Sequence, residues 1–286
     1  MIFLLNNWIK VFKFIFFYAL IVGLFQYLGS LFCGIDLSRK SIYPETPAQE
    51  SLMLTFNLLG TVLATWLFSV SVRKHFILKL GLNSPKLRFI VIGFLTGFTV
   101  MLFGLAILLL TDQINIKTIN FSLNKLLISI YIFAIVALLE EVLIRGYILN
   151  ILLQNSNKWF ALGLSALLFS AMHLFNAHLG YVALINLFLA GILLGLPVIY
   201  TGNIWSSVAL HFSWNFFQSL VGFNISGKNL YSLITLNEPN ANLWNGGLFG
   251  YEASVYCIMS QVIAIACYVN YSAKNGGYNY IDTKVL

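Results

Sequence analysis

The sequence predicts an all-α fold, a polytopic membrane bundle of about eight transmembrane helices, on three observations. Of the 286 residues, 59% are apolar and only 9% are Asp, Glu, Lys or Arg, against roughly 25% charged residues in a soluble domain. A water-soluble chain of this length cannot cover itself with so few charges. The apolar residues also fall in runs of about 20, long enough to cross a hydrocarbon core of roughly 30 Å. Finally, the alternating pattern of barrel strands is absent, and helices and closed barrels are the structures that satisfy their backbone in lipid. Lipid is therefore the solvent of this chain and its first partner.

The runs place the segments in order. The first covers Trp8 to Phe32, the second Ser51 to Val72 and the third Phe89 to Leu110. The fourth covers Leu126 to Leu153, the fifth Trp159 to Phe175 and the sixth Tyr181 to Tyr200. The seventh covers Ile204 to Val221 and the eighth Tyr251 to Tyr271. Lys10 and Lys13 precede a long apolar run at the N-terminus. That run is too long for a secretory h-region and no A-x-A-like site follows it, so it reads as the first membrane helix. The longest connections, 33–50 and 222–250, are rich in turn formers such as Pro44, Pro47, Gly222, Gly227, Pro239 and Gly246. No internal repeat divides the chain, and 1–286 reads as a single membrane domain.

The formal net charge is +7, but the basic residues lie in short loops, where they set topology and meet anionic headgroups. No basic stretch interleaved with aromatic residues suggests nucleic acid as a partner. Arg73, Lys74, Lys79, Lys86 and Arg88 crowd the connection between the second and third segments. Placing that connection in the cytoplasm puts both termini there too. Lys10, Lys13, Lys158, Lys274 and Lys284 then join the inner set, and Arg39, Lys40, Lys117, Lys125 and Lys228 form the smaller outer one. This is the expected positive-inside bias, and it is compatible with substrate access from the cytoplasm. Cys33, Cys257 and Cys267 are scattered, form no CxxC pair and read as packing residues.

Ionisable side chains at bilayer depth are costly, at least about 2.5 kcal/mol each, and their default reading is a functional site. The fourth segment holds three, in the run LLEEVLIRGY: Glu140, Glu141 and Arg145. Glu141 and Arg145 are spaced i, i+4 with the acid first, the favoured order for an intrahelical ion pair. Glu140 is turned by about 100° from Glu141 and faces a different neighbour. Glu140 is thus assigned to chemistry and the Glu141–Arg145 pair to support. The bland alternative is a structural ion-pair network of all three. In the fifth segment Phe169 and His173 share a helical face, and in the seventh so do His211 and Asn215. A lone histidine in such a helix is more often a packing residue. The short turn near Asn155 to Lys158 nevertheless brings Glu140 and His173 to one depth in an antiparallel pair. His211 falls nearer the inner surface, a gap that tilt or a break at Pro197 would close. Gly191 and Gly195 give the sixth segment small-xxx-small spacing for a close neighbour. Glu252 is expected to favour the positive N-terminal end of the last helix.

Glu140-Glu141-x-x-x-Arg145, Phe169-x-x-x-His173 and His211-x-x-x-Asn215, in this order and each on a membrane helix, resemble the three motifs of the CAAX-protease and bacteriocin-processing (CPBP, or Abi) family. That family includes the type II CAAX prenyl endopeptidases. The resemblance runs from Ile130 to Val221 and extends to the stretch Gly246 to Glu252, similar to one that often opens the last helix of the family. It implies a catalytic core over 123–271, with 1–122 carrying no recognised motif. It also implies an intramembrane endopeptidase acting on a membrane-associated protein or peptide. Peptide hydrolysis needs an activated water and a stabilised oxyanion. Glu140 is then the general base, His173 orients the water, and His211 and Asn215 donate to the oxyanion, with Glu141, Arg145 and Phe169 in support. This scheme requires no cofactor. The alternative is a zinc metalloprotease with Glu140, His173 and His211 as ligands and an open position for water, although no HExxH helix is present. A non-catalytic immunity or scaffold protein of the same family is the rival from another class. A transporter is disfavoured by the lack of repeated halves.

Overall fold

The computed structural model describes residues 2–35, 46–70, 80–84, 86–154, 156–228, 230–237 and 240–274. Several residues of the charge argument, among them Arg39, Lys40, Arg73, Lys74, Lys79 and Lys284, lie outside the described residues, as does Asn155. Eight helices are formed among the described residues: α1 (Ile2–Cys33), α2 (Pro47–Val70), α3 (Leu87–Leu110), α4 (Leu123–Leu153), α5 (Lys158–Ala171), α6 (Tyr181–Thr201), α7 (Trp205–Leu220) and α8 (Val255–Lys274). A short ribbon unforeseen in the sequence joins β1 (Asn115–Ile119) to β2 (Ile234–Asn237), antiparallel, with Asn115 opposite Asn237 and Ile119 opposite Ile234. The chain is otherwise the expected all-α bundle.

Six of these helices, α1, α2, α3, α4, α6 and α8, are long and apolar enough to cross a membrane. The other two correct the expectation of eight full spans. With 14 and 16 residues, α5 and α7 rise only about 21 and 24 Å, short of a roughly 30 Å core. The fifth segment does not continue to Phe175. It stops at Ala171 because the next residues close 3₁₀-type turns, His173 N–H to Ser170 O and Leu174 N–H to Ala171 O. The seventh is short of apolar residues because its buried face is polar, with Ser206, Ser207, His211, Ser213, Asn215, Gln218 and Ser219 all turned inward. No residue of α7 is exposed, whereas α5 leaves Trp159, Phe160 and Leu167 at the surface; the two helices carry Phe169, His211 and Asn215, with His173 in the turn after α5.

Close packing explains how a polar helix is held. A Cβ on Gly93 or Gly97 of α3 would lie 2.2 Å from Ser206 O or 2.6 Å from Leu210 O, so α3 and α7 meet backbone to backbone. Ser206 and Ser213 use that proximity to donate to Phe89 O and Phe94 O of α3, at 2.8 and 2.7 Å. On the opposite flank Gly191 and Gly195 of α6 lie against Ala166 and Leu162 of α5, the close neighbour their spacing announces. Large apolar side chains left exposed, such as Phe12, Phe16, Phe32 and Leu110, suit a surface facing lipid. All three cysteines are free thiols.

One further departure concerns α4. It is α-helical only to Glu141, π-helical over Val142–Leu149, and α-helical again over Asn150–Leu153. All eight residues of the wide segment are buried. Asn150 Nδ2 donates to the Arg145 and Gly146 carbonyls there. Insertions of this kind recur at functional sites, and this one begins immediately after the two glutamates.

Candidate active site

Glu141 and Arg145 are both fully buried, and Arg145 Nη1 donates to Glu141 Oε1 at 2.8 Å. The i, i+4 spacing gives this pair, but the same Glu141 oxygen also meets His211 Nδ1 at 2.8 Å. Glu141 is more than Arg145's partner, for it links α4 to α7 and fixes one edge of the His211 ring. Arg145 extends the link by donating from Nη2 to Gly191 O of α6, at 3.2 Å. Its guanidinium lies 4.5 Å from the centroid of the Phe169 ring, a cation–π contact.

Phe169 is the wedge on the α5 side. Its ring centroid is 5.0 Å from that of His173 and 6.1 Å from that of His211. His173, just past the end of α5, places Nδ1 2.9 Å from Phe169 O. A carbonyl only accepts, so Nδ1 carries the proton and a neutral His173 presents a bare Nε2. The same reasoning applies to His211. Glu141, already bound by Arg145, accepts from Nδ1–H, and Nε2 is left for another partner. Neutral, that nitrogen accepts; protonated, it donates.

The remaining partner is Glu140. His211 Nε2 stands 3.9 Å from Glu140 Oε2, too far for a direct hydrogen bond. Glu140 Oε2 is buried with no hydrogen-bond partner, while 19% of the Glu140 side chain remains exposed. The opening it faces is a cavity of about 290 Å³ lined by Glu140, Phe169, His173, His211 and Asn215 together with Trp214 and Glu252. That volume is at the small end of the roughly 300–1,000 Å³ of ligand pockets. All four residues expected to do chemistry thus share one cavity. The depth mismatch of His211 closes without a break, since α6 runs through Pro197 to Thr201.

Among the described residues, no group of three or more His, Cys, Asp or Glu side chains stands where it could hold a metal ion; Glu140, His173 and His211 all line the one cavity.

Glu252 is the site residue that sequence reasoning misassigned. Ser254, not Glu252, caps α8, its Oγ accepting from Cys257 N–H at 3.0 Å. The Glu252 carboxylate instead accepts from Trp214 Nε1 at 3.3 Å and from Ser226 N–H and Oγ–H, both at 2.9 Å. It therefore ties α7, beside Asn215, to the tight turn in which Ile225 and Lys228 exchange backbone hydrogen bonds. Ser226 and Gly227 form that turn at φ 48° and 84°. The glycine-rich approach to Glu252 was the available signal. Gly250 has φ 99°, and a Cβ there would lie 2.1 Å from Asn224 O, so only glycine lets the segment fold back on the 223–226 stretch.

Compared with known families, residues 122–217 match the model described as "Type II CAAX prenyl endopeptidase Rce1-like". No curated protein matches the chain. The matched segment starts at the residue before α4 and ends within α7, so it contains Glu140, Glu141, Arg145, Phe169, His173, His211 and Asn215, while Glu252 lies beyond it. Residues 122–217 of this integral membrane chain, about a third of its length, are accordingly similar to the Rce1-like type II CAAX prenyl endopeptidases.

Proposed function

We propose that the chain hydrolyses a peptide bond of a membrane-associated protein or peptide, with Glu140 as general base and no metal in the step. The observation that carries this reading is the buried, unpartnered Glu140 Oε2 facing His211 Nε2 across 3.9 Å. A water bonded to both at about 2.8 Å fits that gap. Glu140 removes its proton as the oxygen attacks the scissile carbonyl. His173, its Nε2 freed by the bond to Phe169 O, accepts from the same water and aims its lone pair. The tetrahedral oxyanion takes hydrogen bonds from the Asn215 amide and from His211 in its protonated form, whose Nδ1–H remains on Glu141. Glu140 then returns the proton to the leaving amide nitrogen, the C–N bond breaks, and the carboxyl and amine products separate.

In this scheme Glu141, Arg145 and Phe169 are positioning residues. Glu141 holds His211 by one nitrogen so that the other meets the substrate, and Arg145 and Phe169 hold Glu141 and both rings in place. Cleavage of a co-expressed candidate substrate by membranes containing the wild type, Glu140→Gln and His173→Ala tests the scheme. Both variants should lose cleavage, by about 10²- to 10⁴-fold for the general base, while retaining wild-type yield in the membrane. Normal cleavage by either would refute the assignment. A biological effect that survives both would favour the non-catalytic reading. Stoichiometric zinc in the purified protein, lost in His173→Ala or His211→Ala, would replace the metal-free step.

A further inference from the structure

The eight helices alternate in direction, and hydrogen bonds between connections identify the two faces of the bundle. At one face the α2–α3 and α6–α7 connections meet: Ile204 N–H donates to Gly81 O, and Asn203 Nδ2 donates to Asn83 O at 2.7 Å. The start of α1 and the end of α8 belong to this face. At the other face the α3–α4 and α7–α8 connections meet through the β1–β2 ribbon, through Asn242 Nδ2 donating to Gln113 Oε1, and through Ser122 N–H donating to Tyr231 Oη. The α5–α6 connection joins them, because Gly227 lies against Ala177.

The non-helical residues lining the catalytic cavity all come from this second face. Asn176 belongs to the α5–α6 connection, while Ser226, Lys228 and Glu252 belong to the α7–α8 connection. No described residue of the α2–α3, α4–α5 or α6–α7 connections reaches the cavity. The cavity therefore opens on the face opposite the start of α1 and the end of α8. The excess of Lys and Arg among the described residues assigns the first face to the cytoplasm: Lys10 and Lys13 toward the start of α1, Lys86 and Arg88 beside the α2–α3 connection, Lys158 at the α4–α5 turn and Lys274 at the end of α8, against Lys117, Lys125 and Lys228 on the other face.

We infer that the site takes its substrate from the non-cytoplasmic side of the membrane, so that the substrate class is an exported polypeptide or the outer, membrane-anchored end of one, and not a cytosolic protein. This reading rests on the proposed protease function and reverses the cytoplasmic access with which the charge bias alone was compatible. The scissile bond reaches Glu140 by descending past Lys228 and Asn176, with the turn latched by Glu252 as the rim of its path.

Cysteine labelling tests the inference without requiring cleavage. Cys33 and the exposed Cys267 are replaced by alanine and the buried Cys257 is retained. A single cysteine is then introduced as Lys228→Cys at the cavity mouth or as Ser84→Cys on the first face, both exposed positions. Intact cells are treated with a membrane-impermeant maleimide. Labelling of Lys228→Cys in intact cells, with Ser84→Cys labelled only after permeabilisation, is the expected result. The reverse pattern would overturn the inference. A reporter enzyme active only in the cytoplasm, fused to the C-terminus of the wild type, gives an independent reading: activity supports the inference and inactivity of a stably produced fusion overturns it. Neither measurement depends on Glu140 chemistry, so loss of this inference leaves the protease reading standing, and the converse also holds.

Discussion

Arg145→Met should be among the most destabilising single changes in the protein. Methionine keeps much of the arginine stem's apolar bulk but removes the charge and all five donors. Glu141, at 0% exposure, then keeps only His211 as its partner. The Phe169 ring also loses the cation 4.5 Å from its centroid. Breaking a buried pair by removing one partner costs about 3–5 kcal/mol. With tenfold per 1.4 kcal/mol, that is roughly two to three and a half powers of ten in the folded-to-unfolded ratio. The double change Glu141→Gln/Arg145→Met removes both charges and leaves an amide oxygen to accept from His211 Nδ1–H. Replacing both partners of a buried pair is often close to neutral, so the double variant should recover most of the loss. Denaturant unfolding in detergent, followed by tryptophan fluorescence on the four corners of this cycle, gives the coupling energy, and a value above about 2 kcal/mol is expected for residues in one network. Arg145→Met within about 1 kcal/mol of the wild type, or a coupling below about 0.5 kcal/mol, would refute the view that the pair organises the site.

Three other outcomes follow from the geometry. Gly97→Ala puts a methyl 2.6 Å from Leu210 O and 2.7 Å from Trp214 N, backbone atoms that cannot turn aside. It should cost about 1–3 kcal/mol as overpacking, seen as a lowered Tm in detergent, and a Tm equal to the wild type's would show that α3 and α7 do not pack as described. Asn215→Ala should lower kcat by about 10²–10³, the loss typical of one oxyanion donor, with KM nearly unchanged; a change confined to KM would remove it from that role. Glu252→Ala releases Trp214 and the 225–228 turn together and should raise KM more than it lowers kcat. Ser226→Ala, which removes one of the three bonds to Glu252, should show a smaller effect in the same direction, and equal losses in kcat for both would place Glu252 nearer the chemistry than a positioning role allows.

The bundle was legible in the sequence because lipid leaves a chain few options. Runs of about 20 apolar residues must be helices, and ionisable residues inside them must face inward. That logic picked out Glu140, Glu141, Arg145, His173, His211 and Asn215. The same logic overstated α5 and α7 as full spans, since composition does not show that 3₁₀-type turns stop α5 at Ala171 or that α7 turns a polar face inward. It also read Glu252 as a helix-end charge, because the turn that claims its carboxylate lies some 26 residues earlier in the chain.

What the sequence determined by itself, then, is the solvent, the helices and the identities of the costly polar groups, all fixed by local spacing and by transfer free energies residue by residue. Tertiary structure decided which groups touch: Glu141 shared between Arg145 and His211, Glu140 left with a bare oxygen at the cavity, and the cavity open on the face away from the start of α1 and the end of α8. Those outcomes depend on the rotation and approach of helices distant in sequence. Glycine-to-backbone contacts and a π-helical stretch in α4 set them, and neither leaves a periodic signature in the chain.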